Sequence, residues 1–358
     1  MEKLKAHALR YPSWTAQDIL KLMYQRHLGC GHFAPDEASA RERLLREWDA
    51  TPADRQQPLC ELLGGGYARL HLAAAKAAGV PLSLILRLFL ASAVLPSTQQ
   101  IQQLHTALQQ VAPLPLGIDP IAWSDAQQAW KDAGYSPPGH SEAYRAAYCP
   151  AYRVIKASYA HWLPLLIDVA ERLAHKTPFP LVVDGRSGSG KSCFAACLQE
   201  VFQASIVHMD DFFLPPARKT PERLAQPGAN VDLVRFAAEV SPSLRTGQQI
   251  IYRPYSCQTG VLCQPITLPV SQLVVVEGVY SMNPALDFPY DASIFLTVAP
   301  EVQSARILQR NGADMLRRFQ QEWIPLEEMY FSTLQVPDRA DLCYDTALER
   351  LTQPGQER

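Results

Sequence analysis

Gly185-Arg-Ser-Gly-Ser-Gly-Lys191-Ser192 is the stretch that most narrows what this 358-residue chain can fold into. It matches the pattern GxxxxGK[ST], and its flanks suit it. The apolar run Leu181-Val-Val-Asp184 precedes it, and a helical pattern from Lys191 to Val201 follows. Glycines let the backbone curl so that successive N–H groups point at phosphate oxygens. The N-terminus of the next helix adds a partial positive charge. In such a loop the lysine, here Lys191, reaches the β- and γ-phosphates, and the hydroxyl of Ser192 ligates Mg²⁺. The expected nucleotide-binding set is Gly185, Ser187, Gly188, Ser189, Gly190, Lys191, Ser192 and Cys193.

A second acidic element lies downstream. Leu273-Val-Val-Val-Glu277-Gly278 reads as a buried strand ending in a carboxylate. Behind a phosphate loop, a carboxylate so placed holds Mg²⁺ directly or through water. Ser192 and Glu277 are therefore the expected metal-side residues. No NKxD segment is present to read a guanine base, and no LSGGQ signature to mark a transporter ATPase. What does appear is Ile206-Val-His-Met-Asp210-Asp211-Phe212-Phe213, a strand followed by two acids and two aromatics. Ligands of doubly wound sheets sit at the carboxyl ends of strands. Asp210 could there accept the proton of a substrate hydroxyl.

The chain divides near residue 176. Before Lys176-Thr-Pro-Phe-Pro180 the pattern is helical and punctuated by proline, with 29 prolines in the whole chain. Thr15-Ala-Gln-Asp18 opens one candidate helix as a capping box, and Ser97 opens another with Ile101, Leu104, Leu108 and Val111 on one face. More helix is expected over 141–174, broken near Pro150 and Pro164. No convincing alternation of period two occurs in this half. After residue 176, strand-like runs at 205–209, 273–276 and 292–298 alternate with helical patterns. The expected architecture is α/β: a P-loop NTPase parallel sheet with flanking helices (176–358), preceded by an all-α N-terminal domain (1–175).

The order of motifs resembles the uridine kinase and phosphoribulokinase group of phosphate-loop kinases. VDGRSGSGKS, Met209–Phe213, Asn230-Val-Asp232 with Phe236, Tyr252-Arg-Pro-Tyr255, Val274–Gly278 and Arg306–Arg310 carry the resemblance. It spans residues 180–345, about half the chain. It implies Asp210 as general base and Asp211, Phe213, Asp232 and Tyr255 on the substrate side. It also implies Glu277 on the Mg²⁺ side, and Arg310, with Arg317 and Arg318, in a lid over the transferring phosphoryl group. Two departures touch the acceptor: Arg310 is followed by Asn311-Gly312, and Cys257 stands where the group has a histidine.

The N-terminal half offers less. His27-Leu-Gly-Cys30-Gly-His32 admits a turn, a polar site or a metal site. Gly64-Gly-Gly66-Tyr-Ala-Arg69 reads as a turn entering a helix, with an anion site at its N-terminus as an alternative. Tyr144, Tyr148 and Tyr152 fall at helical spacing and suggest a docking stripe between the halves.

Composition excludes several classes. Lys+Arg 33 against Asp+Glu 35 gives a net charge of −2, a poor balance for a nucleic-acid clamp. Residues 1–176 carry 18 basic and 15 acidic side chains, a difference of +3, and the rest 15 and 20, a difference of −5. The eight cysteines form no CxxC pair, which argues against a zinc ribbon. Cys193 and Cys197 are expected in the core. The first residues lack the apolar segment of a signal peptide, and no stretch is long and apolar enough to span a bilayer. The resulting expectation is a cytoplasmic phosphotransferase using ATP and Mg²⁺ on a small hydroxylated metabolite, a nucleoside first. Pantothenate, glycerate or a sugar phosphate are the alternative acceptors, and a nucleotide-gated regulatory protein is the alternative class. Neither nucleic acid nor membrane is expected as a partner, and homo-oligomerisation is left open.

Overall fold

The computed structural model describes residues 2–30 and 36–352. The chain separates into two compact units, Met1–Leu163 and Pro164–Arg358.

The N-terminal unit is mainly helical, but the all-α expectation needs correction. Three short strands, β1 (Cys60–Gly64), β2 (Tyr67–His71) and β3 (Tyr152–Lys156), form an antiparallel sheet in the order β1-β2-β3. Their signal was weak because β2 buries four of its five residues, so polar and apolar positions do not alternate along it. Gly64, Gly65 and Gly66 make the β1–β2 turn with φ of 83°, 62° and 90°. A Cβ on Gly65 would lie 1.9 Å from the carbonyl oxygen of Arg26. These glycines thus close a hairpin rather than open a helix, and the alternative of an anion site at a helix N-terminus there loses its helix. Arg69 is 1% exposed and spends its guanidinium on Gln25 and Glu61.

Local capping behaves as the sequence indicates. Thr15 N donates to Asp18 Oδ2 at 3.0 Å, ahead of the helix Ala16–Leu28. Ser97 and Gln100 exchange bonds at the start of the helix Thr98–Gln109. Residues 141–174 depart from expectation. Helix Glu142–Tyr148 stops before Pro150, β3 follows, and helix Ala157–His175 runs on through Pro164. The three tyrosines are used inside the N-terminal unit. Tyr144 stacks on His140 at 4.2 Å, Tyr148 Oη accepts from Ser13 N at 2.8 Å, and Tyr152 bonds His140 and Gln25. Gly31 and His32 lie outside the described residues. Cys30 is buried and donates to the carbonyl of Val154.

In the C-terminal unit, β4 (Phe179–Gly185) is the central strand, followed by β5 (Ser205–His208). β6 (Ile250–Tyr252) pairs with β9 (Ile266–Leu268), and β7 (Tyr255–Ser256) with β8 (Val261–Leu262), as small antiparallel ribbons. β10 (Leu273–Glu277), β11 (Ala292–Thr297), β12 (Leu342–Asp345) and β13 (Arg350–Thr352) complete the main sheet. Its order is β13-β12-β11-β4-β10-β5, parallel throughout except for the antiparallel edge strand β13. β4 and β11 are buried at every position, which is why they read as continuous apolar runs. Helices flank the sheet, including Lys191–Phe202 after β4 and Pro300–Arg318 after β11. The latter kinks at Gly312, whose φ is 81°. Among the described residues, no helix is long and apolar enough to cross a membrane.

Val182, Val207, Val276 and Phe295 from four strands meet Phe212, Phe236 and Phe331 in the core beside the sheet. Phe295 is fully buried and meets Phe331 edge-on at 5.1 Å. Phe295→Ala should therefore lower stability by about 3–5 kcal/mol, the usual cost of an aromatic cavity, as read from urea denaturation.

Candidate functional site

Strand register builds the site. Glu277, the last residue of β10, stands opposite Val183 of β4 and His208 of β5. The carboxyl ends of three parallel strands therefore open onto one place, where a doubly wound sheet binds its ligand.

The phosphate loop leaves β4 with three glycines at positive φ: Gly185 at 141°, Gly188 at 73° and Gly190 at 97°. The first is also forced by proximity. A Cβ on Gly185 would sit 2.1 Å from the carbonyl oxygen of Leu296 on β11. Gly190 then caps the helix Lys191–Phe202. Lys191 is almost buried, and its Nζ donates to the carbonyls of Gly185 at 2.8 Å and Arg186 at 3.0 Å. The Ser189 hydroxyl is buried with no partner among the described residues.

Other residues hold the loop from outside. Glu327, 4% exposed, accepts from the backbone N–H of Ser187 at 3.0 Å and from its hydroxyl. Burial pushes the Glu327 carboxyl up, against the pull of Lys191. Arg306 Nη1 donates to the carbonyl of Gly188 at 3.1 Å, and Gln303 Nε2 to that of Ser187 at 2.9 Å. Under the loop, Asp184 is wholly buried and accepts from Gly185 N, Met282 N and Tyr330 Oη at 2.7, 3.0 and 2.8 Å. Burial pushes its carboxyl up to about 6, while these three donors oppose that rise.

A cleft of about 510 Å³ lies over the loop. Ser187, Gly188, Gly190, Lys191, Ser192 and Cys193 line it, with Asp210, Asp211, Phe213, Tyr255, Glu277 and Arg310. Gly185 and Ser189 stand behind the wall and shape the loop. Cys193 is exposed here, contrary to its expected core place, whereas Cys197 is buried as expected. Asp232 is not on the cleft wall. It caps helix Leu233–Glu239 through Arg235 N at 3.3 Å, and pairs with Arg218 at 2.6 Å. Two positions earlier, Asn230 lines the cleft instead. Arg317 and Arg318 also lie off the wall, paired with Asp314 and Glu322 on their own helical stretch.

Asp210 is exposed on the cleft wall in the short helical turn after β5. Its carboxyl is raised by desolvation first, with Glu277 and Asp211 adding to the rise and Lys191 and His208 opposing it. Asp211 is held by the Tyr252 hydroxyl at 2.7 Å. Ser192 Oγ lies 3.2 Å from Glu277 Oε1, and His208 Nδ1 meets the same oxygen at 2.6 Å. A hydroxyl beside one carboxylate suits Mg²⁺, which takes few protein ligands and keeps waters and substrate phosphates. Among the described residues, no cluster of three or more His, Cys, Asp or Glu could hold a metal unaided.

Sequence reasoning missed Glu327, Lys219, Tyr280 and Trp323, all on the cleft wall. Lys219 places its ammonium 5.3 Å from the centre of the Phe213 ring, and burial lowers its pKa. Tyr280 follows the Val274–Gly278 motif closely, at a positive φ of 79°. The other three have no local signature, because only the folded chain brings them to the loop.

No family model and no curated protein matches the chain. Solved structures do resemble about half of it. A uridine kinase candidate from Bacillus stearothermophilus is 18% identical, with a TM-score of 0.38, over 50% of this chain and 100% of the other. A candidate fructose transport system kinase from Silicibacter sp. TM1040 is 22% identical, with a TM-score of 0.40, over 49% and 95%. The parallel sheet, its strand-end loop and the helix behind it define a phosphate-loop fold.

The His208–Glu277 bond raises the histidine pKa, against the effect of burial. A group raised in the folded state stabilises fully below its unfolded value of about 6.5 and loses that contribution as pH rises through the folded value. Stability should therefore fall across that window. His208→Ala should remove this fall in urea denaturation followed against pH, and an unaltered profile would dismiss the pair as a contributor.

Proposed function

We propose that the C-terminal unit is an ATP-dependent kinase that phosphorylates a hydroxyl of a small metabolite, with a nucleoside as the first class of acceptor. The carrying observation is that Asp210 shares one cleft with Lys191, Ser192 and Glu277. A nucleotide-binding loop alone needs no second carboxylate at a neighbouring strand end. Phosphoryl transfer between oxygens does.

In this reading the backbone of Gly188 to Ser192 and the Lys191 ammonium cradle the β- and γ-phosphates. Ser192 and Glu277 would hold Mg²⁺, which supplies charge neutralisation on the phosphates. Lys191 has only to exchange its bonds to the Gly185 and Arg186 carbonyls for phosphate oxygens. Asp210 accepts the proton of the attacking hydroxyl at its carboxylate. Its pKa, raised by desolvation first, makes its carboxylate a better base than an ordinary aspartate. Tyr252 anchors Asp211 in the same turn, so the two carboxylates have distinct surroundings. Arg310, which lines the same cleft, would neutralise charge on the transferring group.

The cleft wall also carries Phe213, Tyr255, Phe319 and Trp323, with Lys219 and Asn230 as polar groups. An aromatic lining with a few directed polar groups supports a planar base stacked on a ring. Sugar phosphates would call for more cations than Lys219 and Arg310.

Asp210→Asn should leave ATP affinity within a few-fold and lower turnover by about 100-fold or more. The measurement is ADP release against a panel of nucleosides and vitamins. Hydrolysis that no panel member stimulates, or turnover that survives the substitution, would overturn the assignment.

A further inference from the structure

The N-terminal unit holds a cavity of its own, of about 490 Å³, bounded by described residues of that unit alone. Four cationic side chains line it, Lys21, Arg43, Arg145 and Arg153, against one carboxylate, Glu47. They come from separate places in the chain: helix Ala16–Leu28, helix Glu37–Ala50, helix Glu142–Tyr148 and β3. Like charges repel, so convergence from four elements works against folding unless an anion joins them.

The acidic side of the balance is already committed. Glu47 pairs with Arg153 Nη1 at 2.6 Å. His140 also lines the cavity, but its Nδ1 faces Asp18 at 2.8 Å and its Nε2 the Tyr152 hydroxyl at 2.6 Å. Burial lowers its pKa to about 4, so it adds no cation at neutral pH. Arg43 and Arg145 have no acidic partner among the described residues.

Arg153 supplies the independent sign of a ligand. The residue is 6% exposed, yet its Nη2 is buried with no hydrogen-bond partner among the described residues. A buried guanidinium nitrogen left unpaired is costly and uncommon. The same guanidinium is fixed on its other side by Glu47 and by the carbonyl of Tyr152 at 3.0 Å, with the Phe89 ring 5.5 Å away. Lys21 is similarly built in: it is 8% exposed and donates to the carbonyl of Pro138 at 3.1 Å. Its pKa is lowered to about 8 by burial first, then by Arg69 and Arg145. Asp18 acts in the opposite direction, raising it.

We infer that this cavity is a binding site for a small phosphorylated metabolite. Planar arginine forks match the paired oxygens of a phosphate, and with Glu47 committed to Arg153, Arg43 and Arg145 have no carboxylate of their own among the described residues. The volume exceeds what a bare phosphate needs and lies within the range of metabolite pockets. Phe89 and Tyr152 offer an apolar wall for the remainder of the molecule. The inference does not depend on the chemistry proposed for the C-terminal unit.

The test uses the full chain carrying Lys191→Ala, which suppresses phosphate binding at the other loop. Ribose 5-phosphate, glucose 6-phosphate, inorganic phosphate, citrate and glucose are titrated by calorimetry. Saturable binding of a sugar phosphate at one site per chain is expected, with none for glucose. Adding Arg43→Gln and Arg145→Gln should weaken it at least tenfold. Both arginines are exposed, so the melting temperature without ligand should hold and separate lost binding from lost folding. Absence of saturable binding by both sugar phosphates, or affinity indifferent to the two arginines, would overturn the site. Citrate binding as tightly as the sugar phosphates would overturn the phosphate assignment in favour of carboxylates.

Discussion

The parallel register of β4, β10 and β5 is the constraint on which the C-terminal unit depends. Because Glu277 stands opposite both Val183 and His208, the phosphate loop, the metal-side carboxylate and the turn bearing Asp210 emerge side by side. A slip of one residue in β10 would turn Glu277 from the strand ends into the packed layer and bring Val276 in its place. Burial prevents that slip. Val275 and Val276 are both fully inaccessible, so each face of the strand is committed to its neighbours.

Around that register the unit places several charged groups out of water, and each has a different resolution. Asp184 is satisfied by three donors, two of them backbone N–H groups, and so ties the loop to the segment after β10 and to Tyr330. Glu327 binds the loop at Ser187 from a helix 140 positions away. Lys191 rests on loop carbonyls. The loop is thus held by its own glycines and by side chains from two later helices, leaving the cleft side of its backbone for a ligand. Preorganisation of this kind reduces the rearrangement needed when an anion arrives.

The N-terminal unit follows a contrasting design. Its polar interior is a linked set: Asp18 with His140 and Ser141, Tyr152 with Gln25, and Gln25 with Arg69. That set fixes the small sheet against helix Ala16–Leu28. Arg153 stands at its edge, its Nη2 without a hydrogen-bond partner among the described residues. The unpartnered Nη2 of Arg153 on the cavity wall, beside exposed Arg43 and Arg145, is what makes the cavity a candidate site rather than a packing gap.

Much of the C-terminal unit was legible in the amino-acid sequence, because its signals are local. GxxxxGKS encodes a backbone path through glycine freedom, the run ending at Glu277 encodes a doubly buried strand, and Asp210 to Phe213 mark a strand end. These properties belong to a few consecutive residues and need no partner to be recognised. Tertiary structure alone decided which distant side chains complete them. It put Glu327 on the loop, exchanged Asp232 for Asn230 on the cleft wall, and made Asp232 a helix cap. It also disclosed β1 to β3, whose buried central strand erased the alternation that would have betrayed a sheet. The four cations of the N-terminal cavity lie as far as 132 positions apart, from Lys21 to Arg153. Their meeting is a consequence of packing, since charge carries no directional or periodic imprint along a chain until the fold brings it together.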